Sequence, residues 1–175
     1  MPSLTPAAIY AARSDDALHE LLAAELNRRL GESVDGDSGT FLRRLQELPI
    51  GLRAMASVYQ LDVSLALDDL GHHFRNWHDL RLAAETARGL RELGATRHAE
   101  AFEAAVRIAE HHWSFFARPT FGDEYLGSAV ERELSPLNER LWSLQGYRNQ
   151  AGRTILSFWP PYARMHPQRI VGDDA

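Results

Sequence analysis

An all-α fold, a single-domain helical bundle of about six to eight helices in orthogonal or irregular packing, follows from three features of this sequence. Apolar residues recur at 3.6-residue spacing in one stretch after another, those stretches open at Ser, Thr or Asp, and they close at Gly or Pro. At 175 residues, with 45% hydrophobic residues and 25% charged residues, the chain is long enough for one sizeable core without cross-links.

Thr5-Pro6 reads as an N-cap followed by the first helical residue, and Ser14-Asp15-Asp16 opens a second helix with acids at its positive end. Leu18, Leu21, Leu22, Leu26 and Leu30 then fall on one face, and Gly31 ends the run. Residues 33–39, rich in Gly, Asp and Ser, read as the clearest loop. That loop divides an N-terminal helical arm (1–32) from a main body (40–170). Asp35 and Asp37 look like the start of a calcium loop, but the remaining ligand positions are missing. From Thr40 a short helix stops before Pro49. A longer helix over 50–75 follows, bent or broken near Asp68 to Gly71, with Tyr59, Val63, Leu70 and Phe74 buried. Leu61, Val63, Leu65 and Leu67 also alternate as a strand would; a lone strand would have no pairing partner, so helix is preferred.

Two further helices form an antiparallel hairpin, one from Leu80 to Leu93 and one through Phe102, Ala109 and Phe116. Gly94 is placed as C-cap and Thr96 as the next N-cap. The stretch 119–127 reads as irregular and aromatic. Ser135-Pro136 reads as the start of another helix, and a last helix over 146–159 is stopped by Pro160-Pro161. The end, Gly172-Asp173-Asp174-Ala175, is expected to fray.

Composition removes several function classes. All 19 basic residues are Arg, set against 11 Asp and 13 Glu for a net charge of -5. A duplex-binding protein usually carries a basic stripe, so no direct nucleic-acid binding is expected. Without Lys there is no Schiff-base amine and no phosphate-loop lysine, and without Cys no disulfide or thiolate zinc site. No leader-like segment and no long apolar run is evident, so no membrane role is expected and the expected location is cytoplasmic. Gly127-Ser128 lacks the second glycine of a nucleophile elbow. The many aromatic residues read as core.

The segment 68–79 is densest in chemistry-bearing side chains. Asp69 and His73 stand one helical turn apart, and His111-His112 on a later helix offer further imidazoles, which is the case for a His/Asp metal-dependent enzyme. Adjacent His residues on a helix diverge by about 100°, however, and no His-x-x-x-His or Glu-x-x-His spacing occurs. The expectation is that His72, His73, His78, His111 and His112 do not converge on one ion, that no catalytic, metal or cofactor site exists, and that the segment borders a partner-binding surface. Its candidate residues are Asp62, Asp68, Asp69, His72, His73, Asn76, Trp77 and His78.

An ordered pattern supports this choice. Leu48-Pro49-x3-Arg53-Ala54-x4-Tyr59-x-Leu61-Asp62 is followed by Leu70-x3-Phe74-x-Asn76, by Ala84-x5-Leu90-x2-Leu93-Gly94-Ala95, by Ala99-x2-Phe102-x2-Ala105, and loosely by Tyr162-x3-His166-Pro167. It resembles a bacterial all-helical family of unknown function related to the DNA-mimic proteins. Asp68-Asp69 stand where that family has paired glycines, Leu70 replaces its aromatic residue, and His72 and His73 replace a Gln and a Phe, while Phe74 and Asn76 remain. The resemblance implies an all-helical fold and, for at least one branch, an acidic surface that imitates phosphates to a DNA-binding protein. Mimicry would need Asp62, Asp68, Asp69, Asp79 and Glu85 exposed on one face, whereas Arg75 and Arg81 are expected to interrupt such a field. The first reading is therefore a non-catalytic regulatory domain with a protein partner, and DNA mimicry comes second.

Overall fold

A computed structural model describes residues 4–31, 38–148 and 152–172. Its described residues form twelve α-helices, the short α5 (Leu70–Asn76), α8 (Trp113–Phe116) and α9 (Phe121–Glu124) among them, and one 3-10 turn, with no strand, and eight of the helices have seven residues or more. The all-α class is thus the observed one, and the segment 61–67 is helical.

Local signals fix the first helices. Thr5 caps α1 (Pro6–Ala11) by accepting from the Ala8 N–H, and Ser14 caps α2 (Asp15–Leu30) through Ala17 N–H. Gly31, at φ 73°, ends α2. Of the predicted loop and its Asp35 and Asp37, residues 33–37 lie outside the described residues; Ser38 and Gly39 already belong to α3 (Ser38–Gln46). Residues 173–175, where fraying is expected, also lie outside them.

The centre of the molecule is α4 (Ile50–Leu67), whose buried residues include Gly51, Leu52, Met55, Leu61 and Leu65. Its main neighbour is α6 (Leu80–Glu92), which leads into α7 (Thr96–His111), and α7 packs in turn on α10 (Ala129–Gln145). The two helices approach closely at Gly89 of α6, where a Cβ would lie 2.9 Å from the Ala54 carbonyl oxygen and against the Ser57 side chain. Gly94 turns between α6 and α7 at φ 77° as expected. The cap of α7 is Ala95 rather than Thr96, and it makes no side-chain bond to the helix.

On another side of α4 lie α2, α11 (Trp159–Met165) and α12 (Pro167–Val171), with α1 on α11 and α12. Leu18, Leu22 and Leu26 of α2 share one buried cluster with Leu52, Trp159 and Ile170, so α2 packs on the same core as α4, α11 and α12. Burial of about one large apolar side chain per turn, each worth about 1.5–3 kcal/mol, is what holds these short helices in place.

Two proline assignments need correction. Ser128, not Ser135, caps α10, and Pro136 lies inside that helix. Gly146 ends α10 in the left-handed conformation at φ 85°, and among the described residues no α-helix lies between there and Trp159. Instead a 3-10 turn (Ile155–Phe158) leads into α11, with Pro160 in its first turn, where a missing N–H costs nothing because those amides have no intrahelical acceptor.

Candidate functional site

The predicted break in the long helix falls on the two aspartates. Asp68 closes α4 by donating its backbone N–H to the Ser64 carbonyl (2.8 Å), and Asp69 opens α5 (Leu70–Asn76) by accepting from the His72 N–H (2.9 Å). Where paired glycines would give backbone freedom, an Asp-Asp pair terminates one helix and caps the next.

The carboxylates also draw in His72. Its Nδ1 is 2.9 Å from Asp68 Oδ1 and 3.0 Å from Asp69 Oδ1, so the ring proton sits between two acceptors. Tyr125 donates its hydroxyl to Asp69 Oδ2 at 3.0 Å, while the His72 and Tyr125 rings meet edge to face with their centres 5.4 Å apart. Tyr125 can stand there because residue 71 is glycine: a methyl group on Gly71 would overlap its ring. Burial and the neighbouring Asp69 charge push the Tyr125 hydroxyl well above its ordinary pKa, so it acts as a donor and not as a base. One ligand atom each from Asp68, Asp69 and His72 lies within 4.8 Å of the others, which among the described residues is the set that could hold a cation. The same atoms are already joined by the bonds above, and as a group they clamp the joint between α4 and α5.

The other candidates divide by burial. Asn76 is exposed, and Trp77 is half-buried against Phe41. His78 stacks on Trp113 at 4.2 Å and contacts the Trp113 carbonyl through Nε2 at 3.0 Å. Asp62 and His73, by contrast, point into the fold, and neither forms part of an accessible face. Asp62 Oδ1 accepts from Gln145 Nε2 at 2.6 Å; burial raises its pKa, against the opposing pull of that bond and of His19. His73 lies against the rings of Phe74 and Phe102, and burial lowers its pKa to about 3. Ser64 donates its hydroxyl to the Gln60 carbonyl (2.8 Å), so Nδ1 of the neutral His73 must donate to Ser64 Oγ (2.9 Å).

The five histidines considered together have separate partners. His72 is at the joint, His73 on Ser64 and His78 on Trp113, while His111 contacts the Arg107 carbonyl and His112 contacts Glu133. Nor is the five-acid stripe continuous. Asp62 and Glu85 are buried, and Glu85 pairs with Arg53 and Arg88. Arg81 bonds Asp79 and lowers its pKa, the interruption expected of it. Arg75 reaches instead to the Phe116 carbonyl at 2.8 Å. Sequence reasoning missed Tyr125 and Trp113 as parts of this region, since each is joined to it by tertiary contact alone, and with Tyr125 it missed what requires a glycine at position 71.

The model of the family described as DMP19-like protein matches residues 46–158, a span from the end of α3 to the 3-10 turn that includes the α4–α5 joint. The chain belongs to this family. No curated protein and no solved structure matches it. Family membership agrees with the resemblance carried by residues 48–106. Among the described residues, no helix is long and apolar enough to cross a membrane.

Proposed function

We propose that this DMP19-like chain is a non-catalytic, cytoplasmic regulatory domain that binds a protein partner through the face formed by Asp68, Asp69, His72, Asn76, Trp77 and His78. One observation carries the reading: the buried acidic groups are committed inside the fold, while a mixed polar and aromatic set faces outward around α5. Glu25 is held by Arg28 and Arg29, Asp62 by Gln145, and Glu85 by Arg53 and Arg88. An acid–base or metal-dependent enzyme needs such groups free to act on a substrate. Half-exposed Trp and His beside charged and amide groups suit a protein interface, where aromatic anchors supply much of the binding energy.

The experiment is affinity capture from native lysate by the wild-type protein and by an Asp68→Arg, Asn76→Arg double variant of verified fold. A partner retained by the wild type and lost by the variant supports the reading. Equal capture by both removes this face from it. Family membership favours a second reading, mimicry of DNA toward a DNA-binding protein. That partner would be displaced by duplex DNA and released steeply by salt.

A further inference from the structure

At the start of α4, the end away from the α5 joint, α4, α6 and α7 border a groove of about 620 Å³, within the range of small-ligand sites. Its charged walls are Arg53, Arg88 and Arg91 with Glu85, Glu92 and Glu103. Ile50, Ala54 and Ala87 form its apolar part, and Ile50 is 49% exposed.

The ion pairs of this groove are not matched one to one. Arg91 gives Nε and Nη2 to the two oxygens of Glu103 at 2.8 and 2.7 Å. Glu92 accepts from Arg169 Nη1 at 2.6 Å and from the Tyr162 hydroxyl. Glu85, which is buried, serves two cations. Arg53 holds it with both Nε (2.9 Å) and Nη2, and Arg88 Nη2 reaches the same Oε1. Two guanidiniums on one carboxylate leave one positive charge over. It falls to Arg88, whose side chain is 66% exposed and which, among the described residues, has no second acidic partner. The bond to Glu85 holds its head at the groove and uses one of its five N–H donors, so an edge of the fork stays open.

An open guanidinium edge matches a planar carboxylate through two parallel hydrogen bonds. The surplus is a single charge and three carboxylates share the groove, so a monoanion fits where a dianion would be repelled. Ile50, Ala54 and Ala87 reward an occupant that also covers apolar surface. We propose that this groove binds a small organic monocarboxylate with an apolar body, its carboxylate on Arg88 and its body on Ile50, Ala54 and Ala87. The site is independent of the protein-binding face.

The test titrates four probes into the ¹⁵N-labelled full chain at pH 7, followed by backbone amide shifts: phenylacetate, its neutral counterpart phenylacetamide, acetate, which lacks the apolar body, and phenyl phosphate, which is mainly a dianion. Phenylacetate is expected to shift amides of residues 85–92 saturably and to bind roughly tenfold more tightly than phenylacetamide or phenyl phosphate, as one charge-assisted bidentate contact contributes. It should also exceed acetate several-fold. Arg88→Gln, a change at an exposed position, should abolish the preference for phenylacetate over phenylacetamide. Ile50→Ser should weaken phenylacetate several-fold, and Arg118→Gln, which removes an equal charge beyond α8, should leave it unchanged. If Arg88→Gln fails to fold, the order of the four probes on the wild type decides. The proposal is overturned if phenylacetate at millimolar concentration leaves residues 85–92 unmoved, if phenylacetate and phenylacetamide bind equally, or if phenyl phosphate or acetate binds as tightly as phenylacetate. It is equally overturned if Arg88→Gln keeps the preference, if Ile50→Ser binds phenylacetate unchanged, or if Arg118→Gln weakens it as much as Arg88→Gln does.

Discussion

Burial lowers the pKa of two histidines, His73 and His98, and replacing His73 with Phe isolates its share of the acid sensitivity. The neutral ring donates to Ser64 and packs between Phe74 and Phe102, and burial lowers its pKa from 6.5 to about 3. A base with a depressed folded pKa contributes stability that is fully present above the unfolded value and is lost as pH falls from 6.5 toward 3. Each pKa unit corresponds to about 1.4 kcal/mol, so linkage over this window gives a loss of about 2–3 kcal/mol between pH 6 and pH 4 from this one group. The Phe variant keeps the ring volume and cannot take up the proton. It also loses the bond to Ser64, an offset that does not vary with pH. Urea denaturation of both proteins at pH 4, 5, 6 and 7 measures the difference directly. The stability gap should move in favour of the variant by about 2–3 kcal/mol from pH 6 to pH 4. A gap that stays constant across that range would refute the assignment of a buried, neutral His73.

Three further outcomes are expected. Asp62→Asn keeps the acceptor for Gln145 and removes a carboxylate whose pKa burial raises, so it should match the wild type below about pH 4 and be the more stable protein above it, read from melting temperatures across pH. Gly89→Ala should cost about 1–3 kcal/mol in urea denaturation, because its methyl group meets the Ala54 carbonyl and Ser57 across the α4–α6 contact. Pro136→Ala should stabilise by about 1–3 kcal/mol in the same assay, since Pro136 is exposed inside α10 and blocks one helical hydrogen bond.

Features set by neighbours in the chain are legible in the sequence. Thr5, Ser14, Gly31 and Gly94 mark helix ends through caps and turns that need only local backbone geometry, and Asp68-Asp69 mark the break between α4 and α5 for the same reason. Features set by distant segments are not. Tyr59 is 44% exposed and Val63 half-buried where spacing places both inside, although Leu70 and Phe74 are buried as expected. The helix is apolar around much of its circumference, so spacing alone does not choose the face. That choice is made by Gly51, Ala54, Ala56 and Ser57, whose small size admits neighbouring helices. Asp62 reads as a surface acid until Gln145 is brought to it from α10. The two proline errors have one origin: Pro136 suits a first helical turn by local rules and is carried inside a packed helix, while Pro160 suits a stop and in fact begins one.

The site shows the same division. The cluster at Asp68, Asp69 and His72 lies within five residues and is visible as a group in the sequence, but its clamp, Tyr125, is more than fifty residues away. His73 cannot be separated from His72 by type or position. Their divergence by one helical step sends one ring to the surface and the other into the core.

The central claim, that the α5 face meets a protein partner, is tested most directly by site-specific photo-crosslinking. A photoreactive residue is placed at Asn76, or at the exposed position Glu110 on α7 as a control, and each protein is irradiated in native lysate. The account predicts one discrete protein adduct from position 76 that is missing from position 110 and is suppressed by Asp68→Arg. Identical adducts from both positions, or an adduct at 76 indifferent to Asp68→Arg, would contradict it.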